Sequence, residues 1–232
     1  MPLRMQNFPE HPLSRATELL IALTAFIGAL FLNTLAGRVA DEAGVHAHSS
    51  PDLLFQYLPI VDMRFFFLWG FLGFVCWATF AALKWERERL AYILWLFALL
   101  IVVRCFFIVL TPMKLHESAL SIDGDPLYET IGKHFTLRHD LFFSSHTAMP
   151  FLASLIFRGR WIRLSFLGIS ILMASSVLLS RLHYSIDVFA AYFITYATYH
   201  AENRWFQVPY MNWRRRWVAT PVKPQPAPDQ QT

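Results

Sequence analysis

Charged side chains are scarce in this sequence. Asp, Glu, Lys and Arg make up 16% of its 232 residues, whereas hydrophobic residues make up 56% and aromatic residues 16%. A chain of this length with so little charge is too apolar for a soluble domain, and several apolar runs are long enough to cross a bilayer. We therefore predict an integral membrane protein. No motif of a nucleic-acid-binding fold is present, so no nucleic-acid partner is expected.

Cysteine is also scarce. Cys76 and Cys105, the two cysteines, both fall inside apolar runs, which excludes a disulfide framework and a thiolate metal cluster. His46 and His48 fit no structural zinc spacing, so solvated loop residues are favoured over a metal site. The polar, proline-punctuated residues 1–18 predict no cleavable signal peptide. We expect neither a metal nor a cofactor.

Six apolar segments predict an all-α membrane domain over residues 17–204. The segments cover about 17–37, 65–83, 90–110, 141–157, 161–179 and 183–204. Pro150 is expected to kink or shorten the fourth of them. Residues 1–16 form a cytoplasmic segment, and residues 205–232 form a basic, proline-rich tail whose last dozen residues are expected to be disordered.

The distribution of charge predicts the orientation. One side of a six-helix arrangement carries Arg4, Arg15, Lys84, Arg87, Arg89, Arg158, Arg160, Arg163, Arg204, Arg214, Arg215 and Arg216. The other side carries Asp41, Glu42, Asp52, Asp62, Glu117, Asp123, Asp125 and Glu129. Basic loops stay in the cytoplasm, so both termini are predicted to be cytoplasmic and loops 38–64 and 111–140 external. The short tails suit a bacterial inner-membrane protein.

Two external helix starts carry the residues best suited to chemistry. His183 and Asp187 are four residues apart and share a helical face, where a carboxylate can orient an imidazole and stabilise its positive charge. Taken alone, this segment fits a simple helix cap equally well. His146 begins the fourth segment at the same membrane face, beside serine and threonine hydroxyls. The coincidence of both histidines at one depth favours a site over an interfacial histidine.

Two arginines can supply anion contacts at this face. Arg104 lies inside the third segment, where a guanidinium usually faces a polar cavity or an anion, although an ion pair with a nearby acid is an alternative. It is near enough to the external end to reach the same face. Arg181 is the second guanidinium, and two planar forks suit a phosphate.

These segments resemble the sphingomyelin synthases, a branch of the type 2 phosphatidic acid phosphatase superfamily. Asp140 and residues 144–147 (Ser-Ser-His-Thr) are similar to their Asp-x-x-(Phe/Tyr)-Ser-Gly-His-Thr motif. Residues 183–195 are similar to their His-Tyr-(Thr/Ser)-x-Asp-Val…Ala-Tyr-x-x-Thr motif. Residues 50–55 resemble a Pro-Asp-x-x-Phe element, and Arg104 with Thr111-Pro112 resembles the element closing the third helix. The superfamily pattern places an arginine six residues before the second histidine, whereas Arg181 precedes His183 by two.

The resemblance implies a double displacement at phosphorus without a metal. His183 would be the nucleophile, Asp187 would hold its ring, and His146 would act first as acid and then as base. The substrate-binding residues it implies are Arg104, Ser144, Ser145, Arg181, Asp140 and Tyr184.

Three functions remain open at this point. The first is a phosphotransferase that moves a phospho-head-group from a phospholipid donor to a lipid alcohol such as ceramide or diacylglycerol. The second is a lipid phosphate phosphatase or phospholipase C-type hydrolase, and the third a non-catalytic lipid-binding or transport protein. The motifs favour an enzyme and do not define the acceptor; whether the chain forms a homo-oligomer is also open.

Overall fold

The computed structural model describes residues 14–130 and 141–204, with side chains up to residue 202. Asp140, the histidines at 134 and 139, and the predicted tail lie outside these residues. The described part is all-helical. Its α-helices are α1 (Arg15–Gly44), α2 (Phe71–Trp85), α3 (Leu90–Leu110), α4 (Pro126–Thr130), α5 (Ser145–Ile156), α6 (Arg160–Leu179) and α7 (Ser185–Arg204). A π-helical turn, Phe66–Gly70, leads directly into α2.

Four of the helical segments are long and apolar enough to cross a membrane. They are Arg15–Gly44, Phe66–Trp85, Arg87–Leu110 and Arg160–Leu179, so the chain is a multi-pass membrane protein. These four confirm the corresponding predicted spans. The prediction also made spans of the segments containing α5 and α7, but neither helix combines the required length and apolarity.

The short α5 differs most from the sequence-based expectation. It begins at Ser145 rather than near residue 141, and it has 12 residues, a length of roughly 18 Å against the ~30 Å of a hydrocarbon core. Ser144 is its extended N-cap, and the chain becomes extended again at Phe157. At the other extreme, α1 continues to Gly44, so the loop that follows it is shorter than the predicted 38–64.

Helix packing separates a lipid-facing layer from a buried core. α1 packs along α3, while α5 packs against α6 and α7. Leu96, Phe143, Leu152 and Phe166 are fully buried in the main apolar cluster. Ile27, one of many exposed apolar side chains on α1, is 58% exposed, as expected for a surface that contacts lipid.

The helix ends far from the histidines are joined by a buried ion pair. Glu86 accepts a hydrogen bond from the guanidinium of Arg89 (3.0 Å) and another from the backbone N–H of Arg158 (3.0 Å). The Arg89 guanidinium also donates to the carbonyl of Ile156 (2.9 Å). These bonds satisfy the C-terminal end of α5 and fix it against the α2–α3 connection.

Candidate active site

The starts of α5 and α7 lie side by side. The backbone N–H of Ser144 donates to the carbonyl of Asp187 (3.3 Å), which links the N-cap of α5 to the first turn of α7. The hydroxyl of Ser170 on α6 donates to the carbonyl of Thr147 (2.9 Å) and holds the same end of α5 from the other side. As a result, the ring centres of His146 and His183 are 6.4 Å apart.

Asp187 is the partner of His183. Its Oδ2 atom lies 3.4 Å from Nδ1 of His183, and both side chains are buried. The same oxygen accepts the backbone N–H of Tyr184 (2.9 Å), as the third residue of a helix does in a capping box. Within the described residues, Oδ1 of Asp187 and Nδ1 of His183 have no hydrogen-bond partner. The carboxylate can therefore accept a further hydrogen bond beside an imidazole. Hydrogen bonds between such groups shorten when substrate or a proton adds charge.

His146 is held between two phenylalanine rings. Its ring centre lies 4.0 Å from that of Phe67 in a stacked arrangement and 4.6 Å from that of Phe71. The π-helical turn carries Phe67, and Phe71 is the first residue of α2. Gly70 lies between them, where an added Cβ would be 2.5 Å from the Met173 side chain of α6. Sequence reasoning did not select these phenylalanines, although their spacing of four residues was an available signal.

Arg104 reaches the same place from α3. It is 5% exposed, its Nε donates to the carbonyl of Phe143 (3.1 Å), and its Nη1 donates to the side-chain oxygen of Asn33 (2.8 Å). These two neutral acceptors help to orient the guanidinium.

A cavity of about 390 Å³ joins these groups. Arg104, Ser145, His146 and His183 line it together with Phe67, Leu182 and four residues that lie between α3 and α4: His116, Glu117, Ser121 and Asp123. Its volume is that of a small-molecule site. Among the residues that the structure describes, no three His, Cys, Asp or Glu side chains converge as metal ligands. His116 and Glu117 are wall residues that sequence reasoning did not select.

Arg181 does not line this cavity. Its Nη2 atom donates to the carbonyls of Phe55 (2.8 Å) and Leu58 (2.9 Å), and its guanidinium carbon lies 4.1 Å from the centre of the Phe55 ring. The backbone φ of Arg181 is +59°, so the chain turns sharply between α6 and His183. The Arg181 side chain therefore contacts the loop containing Phe55 and Leu58, on which the predicted phosphate contact does not depend.

Arg181→Ala is expected to lower the free energy of unfolding by about 2–4 kcal/mol, since two charge-assisted hydrogen bonds and a cation–π contact are lost. Arg181→Gly suits the positive φ and isolates the side-chain contribution. Both variants should show a lower melting temperature and faster proteolysis within the loop containing Phe55, with KM for a lipid substrate nearly unchanged. A large rise in KM with unchanged stability would restore the phosphate-binding interpretation.

Tyr184 and Ser144 support the site from outside the cavity wall. The hydroxyl of Tyr184 donates to the carbonyl of Lys114 (2.8 Å) and accepts the backbone N–H of Ser50 (3.3 Å). The hydroxyl of Ser144 is buried and has no partner within the described residues. Of the two predicted serines, only Ser145 lines the cavity.

One of the comparisons with known proteins matches the part of the chain that contains both histidines. The family model described as PAP2 superfamily C-terminal matches residues 139–204, which include α5, α6 and α7 with both histidines and Asp187. No match was found among the curated proteins. Over the segment that forms the histidine side of the cavity, the chain is thus similar to the C-terminal part of the PAP2 superfamily.

Proposed function

We propose that this protein transfers a phospho-head-group from a phospholipid to a lipid alcohol, such as ceramide or diacylglycerol, through a phosphohistidine at His183. One observation carries the proposal: two imidazoles in different environments share one cavity. His183 is backed by a carboxylate, whereas His146 lies between aromatic rings. With ring centres 6.4 Å apart, both are within hydrogen-bond reach of a single phosphate.

The first step forms a bond between Nε2 of His183 and phosphorus and breaks the bond from phosphorus to the diacylglycerol oxygen. Asp187 stabilises the positive charge on the imidazole, and His146 gives a proton to the departing oxygen. In the second step His146 takes the proton of the acceptor hydroxyl, whose oxygen bonds to phosphorus while the bond to Nε2 breaks. Both histidines return to their starting state.

The phosphate oxygens would be held by Arg104, Ser145 and the first turn of α5. The N–H groups of that turn have no acceptor within the helix, and the helix dipole adds positive potential at its N-terminus. Ser145 and His146 line the cavity from this turn. The match of residues 139–204 to the PAP2 superfamily supports chemistry on lipid phosphates.

We also propose the orientation that the charges predict, with six crossings and both termini in the cytoplasm. The exposed acids Glu117 and Asp123 lie at the cavity, whereas Arg89 and Arg158 lie at the far helix ends. The cavity would then open to the outer leaflet, in a bacterium to the periplasmic side of the inner membrane.

Hydrolysis is the second candidate function. The cavity rim includes the exposed side chains of Glu117, Ser121 and Asp123, so water reaches the site as well as lipid. Transfer and hydrolysis share the first step and differ only in the acceptor.

A phospholipid panel tests the proposal. Purified protein in mixed micelles is incubated with head-group-labelled phospholipids, with and without ceramide or diacylglycerol, and the products are separated by chromatography. We expect labelled product lipid only when an acceptor lipid is present. Release of free phospho-head-group whatever alcohol is offered would replace transfer by hydrolysis, and no turnover of any lipid would contradict both.

A further inference from the structure

An external segment, residues 50–63, is fastened to the turn that precedes α7. The hydroxyl of Ser180 accepts the backbone N–H of Met63 (3.0 Å), and the N–H of Val61 donates to the carbonyl of Leu179 (3.0 Å). Together with the Arg181 bonds already described, these contacts place the segment directly against the turn that carries His183. It thus comes close enough to act on the catalytic pair.

Asp52 makes the contact that lies nearest to the chemistry. Its Oδ2 accepts the backbone N–H of Ser185 (2.6 Å), and its Oδ1 accepts the Ser185 hydroxyl (3.0 Å) and the backbone N–H of Leu54 (2.9 Å). Asp52 is partly buried and 133 positions from Ser185 in the chain. One carboxylate therefore joins the loop to the first residue of α7.

The start of α7 brings two carboxylates to two consecutive backbone N–H groups. Asp187 accepts the N–H of Tyr184, and Asp52 accepts the N–H of Ser185. Both N–H groups belong to the helix end, where carboxylates are strongly attracted. Without Asp52, the N–H and the hydroxyl of Ser185 would be free to bind Asp187, the only other carboxylate within that turn. His183 needs this carboxylate.

We propose that Asp52 is a positioning residue for His183: by occupying the donors of Ser185, it leaves the carboxylate of Asp187 available to Nδ1. This inference rests on the proposed function, because it assigns Asp52 a part in the reaction of His183. Asp52 does not line the cavity, so it acts through Asp187 and not on the substrate. If Asp52 served only as a structural cap, it would make the same contacts, but the effect of removing it would not depend on Asp187.

A double-mutant cycle separates these two roles. Asp52→Asn is expected to lower kcat by about 10–100-fold with KM nearly unchanged, the usual effect of removing a group that orients a catalytic ligand or base. In an Asp187→Asn background the same change should cost less than about threefold, since the carboxylate it protects is already gone. Equal losses in both backgrounds would overturn the proposal, as would a rise in KM alone. Asp52→Glu should recover part of kcat because it retains a carboxylate.

Asp62→Asn is the matched control. Asp62 belongs to the same external segment, but its carboxylate pairs with Arg64 (2.7 Å), which lowers the pKa of Asp62 to about 2. Within the described residues its hydrogen bonds go to Arg64 and none goes to α7, so kcat should stay within about twofold of wild type.

The tautomer of His183 can be measured by NMR spectroscopy, which tests the role of Asp52 without relying on turnover. Histidine is labelled with ¹⁵N, and the His183 signals are assigned by their loss in His183→Gln. In the wild type we expect the tautomer with the proton on Nδ1; Asp52→Asn should shift the population towards the Nε2 proton, and Asp62→Asn should not. If Asp52→Asn does not fold, Asp52→Ser replaces it: a serine can still accept the N–H of Leu54 but leaves the donors of Ser185 free, so it should shift the population in the same direction. An unchanged tautomer would overturn the role of Asp52, whereas an inactive wild type with a shifted tautomer would contradict only the proposed function.

Discussion

His183→Ala is expected to reduce turnover at least about 10⁴-fold, to background, while the protein remains folded and inserted. His183 is the histidine with a carboxylate at Nδ1, so Nε2 is the nitrogen left for phosphorus. No other imidazole on the cavity wall has such a partner among the described residues: His146 lies between Phe67 and Phe71, and Nδ1 of His116 accepts from Ser118 (3.1 Å). In the proposed mechanism, loss of His183 would therefore remove the covalent step itself.

An activated substrate distinguishes the nucleophile from the acid. A p-nitrophenyl phosphodiester of the preferred head group has a leaving group that departs without protonation. His146→Ala should then release about one equivalent of p-nitrophenol per protein in a burst without turnover, because it forms the intermediate but cannot activate the acceptor. His183→Ala should release none. With a head-group label, the covalent adduct should be acid-labile and absent from His183→Ala.

His48→Ala is the control for this pair, because His48 is exposed on the loop that follows α1 and does not line the cavity. It should keep turnover within about twofold of wild type. A burst from His183→Ala equal to that of the wild type would exclude His183 as the nucleophile. His146 would then be the candidate nucleophile.

The central part of this site was predictable from sequence because it depends on local periodicity and on the order of the segments. A spacing of four puts His183 and Asp187 on one helical face, and an even number of segments between them returns His146 to the same end of the bundle. The structure places these three residues together. The position of Arg104 at the same end of the bundle could also be predicted, because it lies near the end of its helix and the order of the segments fixes which end that is.

What sequence reasoning missed depends on long-range contacts and on the backbone. Arg181 was assigned to phosphate by its charge and its nearness to His183, but a positive φ at a non-glycine residue is not visible in sequence, and it directs the side chain to the loop. The aromatic neighbours Phe67 and Phe71 approach His146 from another helix. The length of α5 was also overestimated, because residues 141–144 are apolar enough to resemble helix yet lie outside it.

Asp187→Asn is expected to lower kcat by about 10³–10⁴-fold with KM nearly unchanged. Oδ2 of Asp187 accepts the backbone N–H of Tyr184 (2.9 Å), and only the carbonyl oxygen of an asparagine can take that place. The helix cap is then kept, and His183 faces a neutral oxygen at the same position. At an effective dielectric constant near 20, two unit charges at about 4 Å attract by roughly 4 kcal/mol, which corresponds to about three powers of ten in rate.

Asp187→Asn also separates the effect of the lost charge on kcat from the effect on stability. The new amide nitrogen would occupy the place of Oδ1, which is fully buried and has no partner in the described part of the chain, so stability should fall by about 1–3 kcal/mol. Asp125→Asn makes the same chemical change at another carboxylate that caps a helix start on this face, accepting the N–H of Leu127 (2.8 Å). Its kcat should stay within about twofold of wild type. If Asp187→Asn also retained near-wild-type kcat, Asp187 would be a structural cap, because an amide preserves the hydrogen bond to Tyr184 and removes only the charge that His183 needs.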